Sequence, residues 1–461
     1  MKKTIKIPES VKHIHCIGIG GSGMFPLVQI LHSKGYYITG SDNNESDIVN
    51  AERKMGIDVI IGHSPSNLDG ADLVLYSAAI MADNPELCAA KEQGLPMWER
   101  AKMLGAVSSW YNQAAGICGT HGKTTVTSML TQILFGAGKD PSAVIGGKLR
   151  AIGGYGRAGN TDLFVYEACE FKDTFLSTYP DLAVVLNIDN DHMDYFGTVE
   201  NAMSSYTKFA SMAQCVIYNG NDVHTCDAMD AATTPKKITF GWDCACDYYP
   251  EDIVSHGGLC RSFDLMHAGE LVCRLTIHVP GYHNILNAVA AAAAALELGV
   301  SPEQCAEHLA QFGGAGRRFE VLGKVNGVTI VDDYAHHPAE LSVTLTAAKE
   351  LDFGKVWAVF QPFTFSRTYL LLEDFVKSLS IADHVVLSQI MGSREVNTYG
   401  IKSTDIGEKI AGCVCLDTFE EIADYVMANA KPGDLVITLG CGDIYKCARL
   451  MLAKATESSH S

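Results

Sequence analysis

No apolar stretch in the 461 residues approaches the length of a membrane span; the longest, Ala288–Leu296, is mostly alanine and stops at Glu297. Membrane insertion is therefore not expected. No block of Lys and Arg relieves the net charge of −18, so the surface repels polyanions and a nucleic-acid partner is not expected either. No CxxC pair occurs among the 15 cysteines. Cys244/Cys246 and Cys413/Cys415 are CxC pairs without a histidine at zinc-finger spacing. Scattered thiols, odd in number, read as buried free cysteines in a reducing cytoplasm. The N-terminal run MKKTIKIPESVKHIHCIG lacks the apolar segment of a signal peptide, so a cytoplasmic protein is expected. Neither an internal repeat nor a low-complexity tract is present.

What is there is ordinary globular material, 47% hydrophobic and 19% charged, in a chain too long for a single core. The fold class expected is α/β in three domains. In residues 1–107, HIHCIGIG, YYITGSD, DVIIGH and DLVLYSAAI read as strands, with MFPLVQILHSKG a helix that Gly35 ends. Such alternation predicts a parallel sheet with helices on its faces. The pattern resets around Trp110. Residues 108–314 open with a strand running into GTHGKTT, after which Val126, Met129, Leu130, Ile133 and Leu134 recur at helical spacing up to Gly136. LFVYEACE and LAVVLNIDNDHMD follow as buried strands with acids behind them. Residues 220–280 suggest short strands in a small antiparallel sheet, and HNILNAVAAAAAALELGV a helix that Gly299 ends. Past the Gly- and Arg-rich joint FGGAGRRFEVLG, residues 315–461 alternate again through GVTIVDD, KVWAVFQPF, DHVVLSQI and DLVITLGCGDI.

Two glycine loops carry the chemistry. In the second, a strand turns through Gly119, Thr120, His121 and Gly122 into a helix starting at Lys123. Backbone N–H groups can then turn inward around a phosphate, Lys123 can reach terminal phosphates, and the hydroxyl of Thr124 or Thr125 can hold Mg²⁺. The spacing is a variant, since Gly-x4-Gly-Lys-Thr would place a glycine where Ile117 stands. Glu167 and Glu170 end the next strand, and Asp189, Asp191, His192 and Asp194 follow the one after. Each could be a solvated acid or a helix cap. Beside a triphosphate, Glu167 and His192 are natural metal ligands.

The first loop, GIGGSGM, places Gly18, Gly20 and Gly23 as GxGxxG, with Asp42 ending the next strand. NAD is one reading. The diphosphate of a nucleotide-linked substrate is the sharper one, because nothing else calls for a redox cofactor. In the last third, VDDYAHHP is either a helix cap with a satisfied histidine or an active-site edge to which GRRF would add arginine, and Arg367 of FQPFTFSRT stands in a similar place after a strand.

Taken together, GIGGSGM, GTHGKTT, EACE, NIDNDHMD, HNILNA, GRRF, DDYAHHP and FQPFTFSRT, in this order over about 15–450, resemble the Mur ligase family. The resemblance implies an N-terminal Rossmann-like domain, a central ATPase domain and a C-terminal Rossmann-like domain. It implies ATP-dependent ligation of L-alanine to the lactyl carboxylate of UDP-N-acetylmuramate through an acyl phosphate, in peptidoglycan synthesis. The alternatives are a sister ligase for a recycled murein tripeptide, or a non-catalytic nucleotide-binding regulator. Gly18, Gly20, Gly21, Ser22, Gly23 and Met24, with Ser41 and Asp42, would hold the uridine diphosphate. Gly119 through Thr125 would hold ATP, with Thr124, Glu167 and His192 on Mg²⁺. Asn284 and Asn287 would lie by the adenine, and Arg318 by the phosphates. Asp333, Tyr334 and His336 would line the closed site, and Arg367 would pair the alanine carboxylate. The family often carries histidine, and sometimes a second arginine, where this chain has Phe363 and Thr364, which bears on how the amino acid is gripped. A monomer or weak homodimer is expected.

Overall fold

The computed structural model describes residues 5–190, 192–393 and 395–457, and shows strands and helices alternating along most of the chain. It divides into two compact units, one of Met1–Ile253, Phe263–Thr276 and Leu286–Phe312, the other of Val254–Ser262, Ile277–Ile285 and Gly313–Ser461.

The first sheet has the order β3-β2-β1-β4-β5, formed by β1 (His13–Ile17), β2 (Tyr37–Asp42), β3 (Asp58–Ile61), β4 (Leu73–Tyr76) and β5 (Met97–Glu99). All its pairings are parallel. Helices α1 (Phe25–Ser33), α2 (Asp47–Lys54), α3 (Pro85–Glu92) and α4 (Arg100–Ser108) connect and follow these strands. β1 is buried from Ile14 to Ile17, as a central parallel strand covered on both faces must be. Its neighbours are β2 and β4, so the strand order reverses at its carboxyl end, where ligands of open α/β sheets bind.

The second sheet has ten strands. Its centre is β6 (Gln113–Cys118), flanked by β9 (Leu163–Glu167) and β10 (Leu182–Val185), all parallel. β7 (Ser142–Leu149) pairs with β9, and antiparallel β8 (Gly154–Arg157) makes one edge. Helix α5 (Lys123–Gly136) follows β6, and its buried side includes Val126, Met129, Leu130, Ile133 and Leu134. Residues 220–280 were expected to form a small antiparallel sheet; their strands instead join the ten-stranded sheet. β11 (Cys215–Asn219), β12 (Lys236–Phe240) and β13 (Tyr248–Ser255) pair in parallel, and β14 (Arg261–His267) and β15 (Glu270–Ile277) extend the same sheet. A helix, Val223–Asp230, stands between β11 and β12. It buries just Thr225, Ala228 and Met229, an apolar face too thin to register as a helical period.

The second unit carries a six-stranded sheet ordered β16-β17-β21-β18-β19-β20. Its parallel core is β17 (Val328–Asp333), β18 (Val356–Phe360), β19 (His384–Leu387) and β21 (Leu435–Leu439), with β16 (Glu320–Val325) antiparallel at one edge and the short β20 (Val414–Cys415) at the other. Apolar side chains pack on both faces, Phe360, Phe375 and Leu379 in one cluster and Val359, Val426 and Met451 in another. Among the described residues no helix is long and apolar enough to cross a membrane.

Candidate active site

β6 delivers the chain into the glycine loop with its last residue, Cys118, buried in the core. Gly119 takes φ +142° and Gly122 φ +87°, and both are confined. A Cβ on Gly119 would stand 2.9 Å from Leu186 Cβ, and one on Gly122 2.8 Å from Asn287 Oδ1. The segment after β10 clamps the loop. Thr120 N donates to Asn187 O at 3.0 Å, His121 N to Asn187 Oδ1 at 2.8 Å, and Asp189 N to Thr120 Oγ1 at 2.9 Å. Asn287 therefore belongs to the wall of this loop. Asn284 donates its amide to Pro280 O at 2.6 Å.

Lys123 opens α5, and its ammonium folds back over the loop. Nζ donates to Gly119 O at 2.5 Å, Thr120 O at 3.1 Å and Glu170 Oε1 at 2.9 Å. Burial works against that charge, but Glu170 beside it prevails and pushes the lysine pKa up, so the site holds a permanent cation. Glu170 is itself buried, and its Oε2 has no hydrogen-bond partner. His192 Nε2 lies 3.9 Å from Glu170 Oε1, and the ring packs on Phe171 at 4.7 Å. Glu167 ends β9 and accepts from Gly146 N at 2.6 Å. Thr124 is buried in the first turn of α5 and Thr125 is half-buried. Among the described residues no three His, Cys, Asp or Glu side chains converge as a metal-binding group. Asp191 lies outside the described residues, as does the side chain of Asp194.

The first loop is built differently. Gly18 N and Ile19 N donate to Ser41 O, Gly20 N donates to Asp42 Oδ2 at 3.0 Å, and Met24 N donates to Gly21 O. A Cβ on Gly20 would collide with Val49 Cγ2 at 2.7 Å. Asp42 thus anchors the turn, with its other oxygen taking Asn44 N at 3.2 Å. Ser22 is exposed, and Gly23 faces the guanidinium of Arg100, which donates from Nη1 to Gly23 O at 3.4 Å. Arg100 went unnoticed in the sequence. Its signal is a cation directly after a parallel strand.

In the second unit, Asp333 is buried and holds two backbone amides, Phe319 N at 2.7 Å and Ala335 N at 2.8 Å. Burial, the largest influence, pushes its pKa up to about 6. The aspartate thereby fixes the GRRF turn, in which Arg317 and Phe319 adopt positive φ. Arg317 is tied to Asp332 at 3.0 Å, while Arg318 lies 5.3 Å over the Tyr334 ring. His336 packs against Tyr334, with Nδ1 3.2 Å from Glu340 Oε2. His337 caps the following helix, Pro338–Lys349. The helix-cap reading of this motif holds for His337. Arg367 has a buried Nη1 without a partner. Just before it Thr364 takes φ +65°, and Phe363 bridges to Met391.

Three family models cover most of the chain: "Mur ligase family, catalytic domain" over 13–111, "Mur ligase middle domain" over 117–295, and "Mur ligase, glutamate ligase domain" over 317–442. A relative from Agathobacter rectalis named UDP-N-acetylmuramate–L-alanine ligase is 43% identical over 96% of this chain and 98% of its own. One of the same name from Alkaliphilus metalliredigens is 40% identical over 97% and 98%. The crystal structure of UDP-N-acetylmuramate-alanine ligase MurC from Thermotoga maritima superposes with a TM-score of 0.84 at 26% identity, covering 97% of this chain and 99% of that one. The chain belongs to the Mur ligase family.

Proposed function

We propose that this protein joins L-alanine to the lactyl carboxylate of UDP-N-acetylmuramate, converting ATP to ADP and phosphate, as a cytoplasmic step of peptidoglycan synthesis. The observation that carries the proposal is the ammonium of Lys123, held over the second glycine loop by Glu170 with His192 alongside. Its likeness along the full length to ligases of that name supports the choice of substrates. We also infer three domains with boundaries near 107 and 314.

A carboxylate does not acylate an amine at neutral pH, because its oxygen is a poor leaving group. Transfer of the ATP γ-phosphoryl group to that oxygen gives an acyl phosphate and ADP. The deprotonated amine of L-alanine then adds to the acyl carbon and gives up one N–H proton, and the acyl C–O bond breaks with its electron pair on phosphate, which departs as hydrogen phosphate and leaves an amide. The phosphoryl step is governed by positioning and charge neutralisation. Lys123 exchanges its carbonyl partners, Gly119 O and Thr120 O, for phosphate oxygens, while the amides at the start of α5 would face the chain of phosphates, those of Thr120 and His121 being held by Asn187. Thr124, Glu167 and His192 would hold Mg²⁺, which supplies further neutralisation of the phosphate charge. Asn284 and Asn287 would border the adenine, and Gly18–Met24 with Ser41 and Asp42 the uridine diphosphate. Arg318, Asp333, Tyr334 and His336 complete the proposed ligase residues. The unpartnered, buried Nη1 of Arg367 supports pairing with the alanine carboxylate, which a planar guanidinium can take with two bonds.

The test is incorporation of labelled L-alanine into UDP-N-acetylmuramate by the purified chain and by Lys123→Ala. The proposal expects ATP-dependent incorporation that falls at least about a thousandfold in the variant, whose circular dichroism stays unchanged. Incorporation by the variant at the parent rate would remove the glycine loop from the mechanism.

A further inference from the structure

Beneath the first glycine loop lies a buried polar cluster that the phosphate chemistry leaves unexplained. Its hub is Glu86 in the first turn of α3, a carboxylate with no solvent exposure. Oε2 accepts from Ser41 Oγ at 2.6 Å and lies 3.2 Å from His63 Nδ1 and 3.6 Å from His15 Nε2. Oε1 accepts from Asn67 Nδ2 at 2.6 Å and from Ser64 N at 3.3 Å. Burial alone would raise the pKa of this acid, but the His15 imidazole beside it and hydrogen bonds from Ser41 and Asn67 hold it down at about 2. Glu86 is therefore an anion, and acceptor-only.

That fixes the proton on His63. The Ser41 hydroxyl hydrogen is committed to Glu86, so Ser41 Oγ, 3.0 Å from His63 Nδ1, offers a lone pair there. Both neighbours of Nδ1 are acceptors, so Nδ1 carries the hydrogen. In the neutral ring Nε2 is then a bare acceptor. Among the described residues it has no hydrogen-bond partner, and the side chain keeps 10% of its surface exposed.

His63 stands two residues past the end of β3, at the carboxyl edge of the sheet. With a diphosphate at the turn after β1 and a ribose by the end of β2, the base of a nucleotide comes to lie over the end of β3. Resting on the proposed uridine-linked substrate, we propose that His63 reads the uracil ring, Nε2 accepting its imide N3–H, and that Glu86 is the positioning residue that holds Nε2 as an acceptor. Cytosine presents a lone pair at N3 and is repelled there.

The experiment is calorimetric titration of the full chain with UDP and with CDP. The unaltered protein is expected to prefer UDP by about tenfold or more. His63→Ala loses that preference by weakening UDP alone. Glu86→Gln separates positioning from mere structure. Two obligate donors, Asn67 Nδ2 and Ser64 N, draw the new carbonyl oxygen to their side, which turns the amide –NH₂ toward His63 Nδ1. The ring proton then moves to Nε2, and the preference narrows or inverts toward CDP. Imidazole ¹⁵N shifts report the same exchange directly. A UDP preference unchanged in His63→Ala would overturn the inference while leaving the ligase reading intact. Equal weakening of UDP and CDP in a folded Glu86→Gln would reduce Glu86 to a structural part. If neither nucleotide bound the parent chain, the uridine-linked substrate and this inference would fall together.

Discussion

Glu167 and Glu170 show how far single residues can be read ahead of a structure. Both are visible as acids at the end of an apolar run, three positions apart. Which one turns to Lys123 depends on the chain leaving β9 through a short 3₁₀ segment, Phe171–Ser177, with Lys172 and Asp173 at positive φ. No periodicity encodes that turn, so Glu170 could be seen but not assigned. Asn187 and Glu86 were less legible still, because their partners come from separate elements and leave no local motif. Lys123 was legible because its role follows from the strand, the glycines and the helix start together. Glu52 makes a titration prediction at the same scale. It is buried without a partner on either oxygen, and burial, with Asp42 nearby, pushes its pKa up to about 8. An unfolded glutamate titrates near about 4.3. Between those values the unfolded chain releases a proton that the folded chain keeps, so stability is full at the acid end. It falls by about 1.4 kcal/mol per pH interval until the pH passes about 8. Thermal melts of Glu52→Gln should match the parent near about pH 5 and exceed it near about pH 8. Equal melting temperatures at the alkaline end would show that Glu52 is not held neutral.

Among the elements, the central parallel strands were legible because burial on both faces makes them continuous apolar runs. β8 and β16 were not, since an antiparallel edge of Gly, Arg and Lys residues carries no such run. The helix Val223–Asp230 was hidden by its thin apolar face. Close approaches between elements also escape the sequence. Helix α4 passes so near the segment Phe171–Ser177 that a Cβ on Gly105 would lie 2.1 Å from the Ser177 carbonyl oxygen. Gly105 is helical, so alanine would gain helix propensity in isolation. Here the collision is with backbone and cannot be relieved by a rotamer change. Gly105→Ala is expected to lose about 1–3 kcal/mol in urea unfolding. A gain in stability would mean that α4 can slide away from its neighbour.

For the molecule as a whole, the two glycine loops explain each other. They end the central strands of two different sheets, β1 and β6, and are built to different rules. One is anchored by Asp42 and borders Arg100; the other is clamped by Asn187 and crossed by the Lys123 ammonium. A ligase with a nucleotide-linked acid as one substrate and ATP as another needs two phosphate sites, and a single-nucleotide regulator does not. The measurement that tests this most directly is phosphate release from ATP and Mg²⁺ by the purified chain. UDP-N-acetylmuramate would be added alone, then with L-alanine, glycine, L-serine or an alanyl-glutamyl-diaminopimelate tripeptide. The account predicts sustained release when the UDP sugar and L-alanine are both present. Release with the tripeptide but not with L-alanine, or no release with any combination, would contradict it.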